Sequence, residues 1–202
     1  MIQFMAHPEA DTLPVSIRVD QNTLDGTLTI PPEAEGLVIF AHGSGSSRLS
    51  PRNYFVAQQL NQAGFATLLF DLLTAAEEAS DSYIPRLRFD LVLLSRRLLA
   101  ATDQLRAWPE TSGLPLGYFG ASTGAAAALL AAVERPAYIN AIVSRGGRPD
   151  LAAARLTAVH APTLLIVGGE DREVITLNQS ALAFLPGESA LALVPGAGHL
   201  FE

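Results

Sequence analysis

The sequence predicts one α/β domain over residues 1–202, with a mostly parallel sheet and helices on both of its faces. Solidly apolar runs, such as residues 36–41 and 65–71, are typical of strands that are covered on both sides. Segments with apolar residues at helical spacing alternate with these runs along the chain. No linker long enough to divide the chain separates them.

The first two strands are expected at an edge of the sheet. Residues 15–19 alternate apolar and polar side chains, as a half-exposed strand does. Residues 24–30 form a second such segment, which Pro31 and Pro32 end. Together the two segments predict an antiparallel pair.

The remaining elements alternate between buried strands and helices. The longest helix carries its apolar residues at helical spacing, with charged residues between them. Asp150 is placed to cap the short helix that follows it. In chain order we expect strand 36–41, helix 51–60, strand 65–71, a polar loop at 72–88, helix 89–108, strand 114–119, helix 125–133, strand 138–143, helix 151–156, strand 162–167, helix 177–185 and strand 190–194.

Composition and charge exclude several kinds of protein. The net charge of −7 is spread over the chain without a basic stripe, so nucleic acid is not an expected partner. No apolar run reaches the roughly 18 residues that a membrane span needs, and no membrane partner is expected. The first nine residues lack the features of a signal peptide, so we expect a cytoplasmic protein. Nothing in the sequence decides whether it forms a homo-oligomer.

The chain contains no cysteine, which excludes disulfides, thiolate metal sites and a cysteine nucleophile. None of its four histidines is paired with another His or a Glu at metal-ligand spacing. We therefore expect neither a metal nor another cofactor. His7 and His160 follow no predicted strand, and we interpret them as surface residues.

One segment predicts the chemistry of the site. Gly120-Ala121-Ser122-Thr123-Gly124 follows an apolar strand and precedes an alanine-rich helix, which are the three parts of a nucleophile elbow. The glycines allow strand and helix to approach closely, and the serine occupies strained backbone at the apex. Its hydroxyl then projects at the N-terminus of the helix, where developing negative charge is stabilised.

Two further residues complete a predicted catalytic triad. The carboxyl ends of parallel strands share one edge of the sheet, and ligands bind there. A hydroxyl needs a base at neutral pH, and His199, on a glycine-rich turn after the last strand, can take the proton of Ser122 and return it. Asp171 would orient that imidazole, with its neighbour Glu170 as the alternative.

The oxyanion hole needs two backbone N–H groups that point at one position. One is expected from Thr123, the residue after the nucleophile. The other is assigned to Ser44, in the glycine-rich loop that follows strand 36–41. His42 begins this loop, and we interpret it as a residue that shapes the loop.

Four arginines lie in loops on the same side of the sheet: Arg48, Arg52, Arg145 and Arg148. A guanidinium near the nucleophile could hold a carboxylate or a phosphate of the substrate. The alternative is that these arginines pair with neighbouring carboxylates and hold the loops together. Arg48 and Arg145 are the candidate substrate-binding residues, and Arg145 is favoured because it directly follows a strand.

These motifs resemble those of the α/β-hydrolase superfamily, and within it the small dienelactone-hydrolase-like proteins without a cap domain. The matching residues are 42–45 (HGSG), 120–124 (GASTG), 168–171 (GGED) and 198–199 (GH). The resemblance implies a sheet of about eight strands in which only the second is antiparallel. Some proteins of this kind are similar to partners of phosphoribosyltransferase domains.

The chain departs from the family pattern at two places. Dienelactone hydrolases proper use a cysteine nucleophile where this chain has Ser122, which favours ordinary ester chemistry. The family also closes with a helix after the histidine loop, whereas this sequence stops at Glu202, so we expect one face of the last strands to be uncovered. The chain is then a fragment, or else its catalysis is weak or a partner covers that face.

The leading hypothesis is a serine hydrolase that cleaves a small carboxylic ester through an acyl-enzyme, and the same groups would serve a thioester or an amide. A non-catalytic module that binds a ligand or a partner protein is the alternative. A nucleotide-binding protein ranks last, because residues 42–47 lack the lysine of a P-loop and do not fit G-x-G-x-x-G.

Overall fold

A computed structural model describes residues 10–201 of the chain. Within them, eight strands form one sheet, with helices packed on both of its faces. The strands are β1 (Asp11–Val19), β2 (Asn22–Ile30), β3 (Gly36–Ala41), β4 (Phe65–Phe70), β5 (Leu116–Ala121), β6 (Ile139–Arg145), β7 (Thr163–Gly168) and β8 (Ser189–Val194). The helices are α1 (Pro51–Gln62), α2 (Ala75–Asp81), α3 (Leu91–Ala107), α4 (Thr123–Glu134) and α5 (Arg172–Leu182), with 3₁₀ segments at Leu87–Phe89 and Pro149–Ala158.

The strand order is β1-β2-β4-β3-β5-β6-β7-β8. β2 pairs antiparallel with both of its neighbours, β1 and β4, and every later pair is parallel. This confirms the predicted α/β class and the antiparallel edge. The carboxyl ends of β3 to β8 therefore lie at one edge of the sheet, and the loops that follow them share that edge.

Two apolar clusters hold the layers together. The larger one lies between the sheet and the helices α3 and α4, where alanines of α4 are fully buried and let that helix approach the strands closely. A smaller cluster lies under α1, where Ala57 packs against Phe40, Leu69 and Phe119. The continuous apolar runs of the middle strands follow from this cover on both faces.

The predicted polar loop at 72–88 is wrong in part, because it contains α2 and a 3₁₀ turn. Thr74 caps α2: its hydroxyl accepts from the Glu77 N–H, and the Glu77 carboxylate accepts from the Thr74 N–H. The T-x-x-E spacing that forms this capping box is present in the sequence and could have predicted the helix. The buried Arg97 of α3 also donates to Glu77 and to the Leu72 carbonyl, which fixes the segment above the sheet.

Two other predicted features need correction. Asp150 does not cap the segment after it, because its carboxylate pairs with Arg148, and that segment is a 3₁₀ helix. The last helix, α5, begins at Arg172, five residues before the predicted start at 177, because Asp171 supplies the N-terminal cap. The first turn of α5 already contains apolar residues at helical spacing, so the sequence could have predicted this start.

The described part of the chain contains no helix after β8. Ala190, Ala192 and Val194 of β8 are exposed, and so is Leu164 on the neighbouring strand. The expected uncovered face of the last strands is therefore present in residues 10–201. Of the two histidines that we interpret as surface residues, His160 is exposed and His7 lies outside the described residues.

Candidate active site

Ser122 occupies the turn between β5 and α4. Its backbone has φ 49° and ψ −122°, a left-handed conformation that non-glycine residues rarely adopt. Hydrogen bonds hold the turn from both sides: the Ser122 N–H donates to the Arg145 carbonyl at 3.3 Å, and the Arg148 N–H donates to the Ser122 carbonyl at 3.1 Å. Strained backbone that its surroundings fix in this way is typical of a functional position.

The two glycines of the motif are required by close packing. A Cβ at Gly124 would lie 2.1 Å from the Ala41 carbonyl oxygen, and a Cβ at Gly120 would lie 2.4 Å from the Ala125 Cα. Both obstacles are backbone atoms, which cannot move away without displacing a strand or a helix. The geometry therefore has the features of a nucleophile elbow, in which small residues allow strand and helix to meet.

Gly124→Ala is expected to lower the free energy of unfolding by about 2–3 kcal/mol, because the new methyl group forces α4 away from the end of β3. Urea denaturation measures this. Gly113→Ala is the matched control, since a Cβ there meets nothing within 4 Å, and it should leave the stability almost unchanged. Equal stability of the two variants would contradict the packing argument.

His199 and Asp171 form a hydrogen-bonded pair at the same edge of the sheet. The His199 Nδ1 lies 2.6 Å from the Asp171 Oδ2. The loops that carry them are bound to each other, because the Gly169 N–H donates to the Val194 carbonyl and the Glu170 N–H donates to the Ala197 carbonyl. Since Nδ1 faces Asp171, Nε2 is the ring nitrogen that is left for a reacting group.

The structure separates Asp171 from its neighbour Glu170. The Asp171 side chain is largely buried, and its two oxygens have different partners: Oδ2 faces His199, while Oδ1 accepts from the Val174 N–H at the start of α5. Glu170 is exposed. Asp171 is thus both the helix cap and the partner of the imidazole.

Ser122 and His199 line one cavity of about 370 Å³. The residues that the structure describes show no hydrogen bond between the Ser122 hydroxyl and the His199 ring. Such contacts are often loose in the absence of substrate. The loops after β3, β5, β6 and β8 and the start of α1 line the cavity. The lining residues are Gly43, Ser44, Gly45, Ser46, Ser50, Arg52, Asn53, Ala121, Ser122, Arg145, Gly146, His199 and Leu200.

The two backbone N–H groups predicted to form the oxyanion hole differ in whether they already have a hydrogen-bond partner. Thr123 is the first residue of α4, so its N–H is one of the donors that a helix leaves free at its N-terminus. The Ser44 N–H instead donates to the Thr123 hydroxyl at 2.9 Å. The sequence predicts that this N–H points toward the substrate. In the structure, the Thr123 hydroxyl accepts its hydrogen bond instead.

His42 is buried and joins two strand ends. Its Nδ1 lies 3.0 Å from the Gly43 carbonyl, and its Nε2 accepts from the Leu72 N–H at 2.9 Å. Burial lowers the pKa of His42, which favours the neutral ring that this bonding pattern needs. The geometry fits a residue that shapes the loop.

The candidate arginines are in different surroundings. Arg48 pairs with Asp71 and lines a neighbouring cavity of about 530 Å³, without Ser122 or His199. Arg148 pairs with Asp150. Arg145 lines the cavity of Ser122 and donates to the Asn53 side chain at 2.8 Å. Asn53 was not predicted, since a lone asparagine in a helix carries no motif.

Among residues 10–201, no group of three or more His, Asp or Glu side chains could hold a metal ion. In the same range, every helix is too short or too polar to span a bilayer.

The sheet topology, with a serine on the turn between a parallel strand and its helix, defines an α/β hydrolase without a cap domain. The chain belongs to the dienelactone hydrolase family, which residues 24–201 match.

The chain is similar to several known proteins. A dienelactone hydrolase from Anabaena variabilis is 55% identical, with a TM-score of 0.94 over 96% of this chain and 90% of that one. A serine hydrolase without lid from Xanthomonas campestris has a TM-score of 0.73 at 20% identity, over 96% and 87% of the two chains, and shares the fold. A Mycobacterium tuberculosis protein named "Putative phosphoribosyl transferase" is 57% identical over 88% of this chain, which spans 39% of that protein's length.

Proposed function

We propose that this protein is a serine hydrolase that cleaves a small carboxylic ester or thioester through an acyl-enzyme. The observation that carries the proposal is the 2.6 Å contact of His199 Nδ1 with Asp171, in a ring that shares a cavity with Ser122. A carboxylate on Nδ1 sets the tautomer and leaves Nε2 as the base.

In the first half of the reaction, the Ser122 Oγ attacks the ester carbonyl and its proton passes to the His199 Nε2. The carbonyl oxygen becomes an oxyanion, which the Thr123 N–H and the N-terminus of α4 stabilise. Ser44 is the candidate for the second donor, through its hydroxyl or through its N–H once that shifts from the Thr123 hydroxyl. Asp171 stabilises the imidazolium that forms.

The tetrahedral intermediate then expels the alcohol, which takes the proton from His199, and this completes the first half of the reaction. The acyl group stays on Ser122 as an ester. Water then attacks this ester and gives its proton to the His199 Nε2, and collapse returns the proton to the Ser122 oxygen. The products are the carboxylic acid and the free enzyme.

Labelling by a fluorophosphonate probe tests the proposal, because such probes react with an activated serine. We expect stoichiometric modification of the folded protein at Ser122, located by mass spectrometry of the proteolytic peptides. Unfolded protein should not react, because the activation needs the native arrangement of His199 and Asp171. A folded, unlabelled protein that is also inactive on p-nitrophenyl esters would contradict the proposal.

A second candidate is a non-catalytic module that binds a ligand or a partner. The observation that favours it is the length of the Mycobacterium tuberculosis relative: this chain matches only 39% of a protein whose name refers to phosphoribosyl transfer. In this proposal the domain acts together with a phosphoribosyl transferase domain and has no hydrolytic turnover. Inertness to the fluorophosphonate probe in a folded sample would favour it.

A further inference from the structure

Residues 145–148, which are the end of β6 and the loop after it, hold the turn of the nucleophile. The Arg145 carbonyl accepts from the Ser122 N–H at 3.3 Å, and the Arg148 N–H donates to the Ser122 carbonyl at 3.1 Å. These bonds fix both peptide groups that flank Ser122, whose φ is 49°. A displacement of the segment 145–148 therefore displaces Ser122 as well.

The same segment also contacts the elements that carry the imidazole and its carboxylate. A Cβ at Gly146 would lie 3.2 Å from the His199 carbonyl oxygen, so the two backbones pack closely. The Gly147 carbonyl accepts from the Nδ2 of Asn178 at 3.0 Å. Asn178 lies on α5, the helix that Asp171 caps. The segment 145–148 is thus the junction of all three elements.

Asn178 is fully buried in α5, and only one end of its side-chain amide has hydrogen-bond partners. Nδ2 donates to the Gly147 carbonyl and also, at 2.8 Å, to the Val174 carbonyl in the preceding turn of α5. Oδ1 has no partner among residues 10–201. Because a buried oxygen without a partner is costly, this amide contributes little net stability. What it does supply is a fixed distance between α5 and the segment 145–148.

We propose that Asn178 is a positioning residue for the reaction. By holding the Gly147 carbonyl, it fixes the segment 145–148 against α5, and so sets the position of Ser122 relative to His199. Asn178 is not among the residues that line their cavity, so it acts through the segment and not on the substrate. A misplacement of about 1 Å can lower a rate about 100-fold. The inference rests on the proposed serine hydrolase function for its kinetic consequence.

Time courses of labelling by a fluorophosphonate probe test this role. Asn178→Leu keeps a similar volume and removes both N–H donors. We expect the whole sample of this variant to react at Ser122, with a rate constant about 10–100-fold below that of the wild type. A merely structural role would instead lower the labelled fraction and leave the rate constant of the folded molecules unchanged. Mass spectrometry of the intact protein measures both quantities.

A second variant keeps the test valid if Asn178→Leu does not fold. In Asn178→Ser, the hydroxyl can donate to the Val174 carbonyl of its own helix but is too short to reach Gly147. We expect the same fall in the rate constant, because the lost contact is the one between α5 and the segment 145–148.

Steady-state kinetics with p-nitrophenyl acetate provide an independent signature. In Asn178→Leu, kcat should fall by the same factor as the labelling rate constant, while KM stays within about twofold. The pH at which kcat/KM is half of its maximum should not move, because the contact between His199 and Asp171 remains. A general loosening of the acid loop would shift that pH.

Two buried residues provide matched controls. Ser144 is a fully buried residue of β6 whose hydroxyl has no hydrogen-bond partner among residues 10–201. Ser144→Ala should keep the rate constant of labelling within about twofold of the wild type. Leu185 is buried beyond the end of α5, and Leu185→Ala should lower the stability without lowering this rate constant.

Native-state hydrogen exchange, read by NMR, tests the link without any reaction. The Arg148 amide should exchange at least about tenfold faster in Asn178→Leu, relative to the Ile142 amide, which is bonded to the Pro162 carbonyl. If the wild type neither reacts with the probe nor hydrolyses an ester, the proposed function is removed, and faster exchange at Arg148 keeps the link. Unchanged exchange at Arg148, a wild-type rate constant in Asn178→Leu, or an equal fall in Ser144→Ala overturns the inference.

Discussion

Ser122→Ala is expected to lower kcat for hydrolysis of p-nitrophenyl acetate by about 10⁴–10⁶-fold. The physical reason is that the hydroxyl is the attacking group, and no other nucleophile can form the acyl-enzyme. A residual rate above that of water should remain, because the Thr123 N–H and the cavity still bind the polarised carbonyl. Steady-state kinetics with the folded variant measure the loss.

Ser180→Ala is the matched control for this experiment. Ser180 lies on the exposed side of α5, and its hydroxyl only donates to the Thr176 carbonyl of the same helix. Its removal should leave kcat within about twofold of the wild type, as is usual for surface substitutions. Equal rates in Ser122→Ala and in the wild type would remove the proposed mechanism, whereas equal loss in both variants would point to a folding defect.

The catalytic candidates could be predicted from the sequence because their positions follow from topology. In a parallel sheet every strand ends at the same edge. We can therefore predict that a serine after β5, an acid after β7 and a histidine after β8 lie near one another, even when no tertiary contact is known. The glycines around Ser122 strengthened the prediction, since close backbone contacts need residues without a Cβ. The apolar runs predicted the middle strands because both faces of these strands are covered.

The surroundings of these residues could not be predicted in the same way. The contact of Asn53 with Arg145 joins α1 to β6 across 92 positions of sequence, and no pattern in the sequence marks Asn53. The hydroxyl of Thr123 accepts a hydrogen bond from the Ser44 N–H, and these two residues are 79 positions apart in the sequence. Both contacts depend on side-chain orientation and on the distance between loops, which tertiary packing decides. Such contacts determine whether an N–H or a guanidinium is available to the substrate.

The two carboxylate oxygens of Asp171 have different partners. Oδ1 accepts from the Val174 N–H at the start of α5, and Oδ2 lies against the His199 Nδ1, so the capping contact and the proposed catalytic contact do not exclude each other. The cap fixes the carboxylate at the start of α5, and α5 in turn is fixed by Asn178, which donates to the Gly147 carbonyl in the loop after β6. The orientation of His199 therefore depends on the helix as well as on its own loop.

Asp171→Asn is expected to lower kcat for ester hydrolysis by about 10⁴-fold while the protein stays folded. Asparagine keeps an oxygen that can accept from the Val174 N–H, so the cap at α5 survives and thermal unfolding should change little. Its amide has no charge to stabilise the imidazolium. If the amide NH₂ faces His199, it donates to Nδ1 and shifts the ring proton to Nε2, the nitrogen that must accept the proton of Ser122.

Glu170→Gln distinguishes this electrostatic role from a general effect of charge in the acid loop, residues 168–171. Glu170 is the exposed neighbour of Asp171, and the change removes the same negative charge at the adjacent position. We expect its kcat to stay within about twofold of the wild type, because screened surface charge contributes little. A loss of less than tenfold in Asp171→Asn, or a larger loss in Glu170→Gln, would show that the 2.6 Å contact between His199 and Asp171 does not support catalysis.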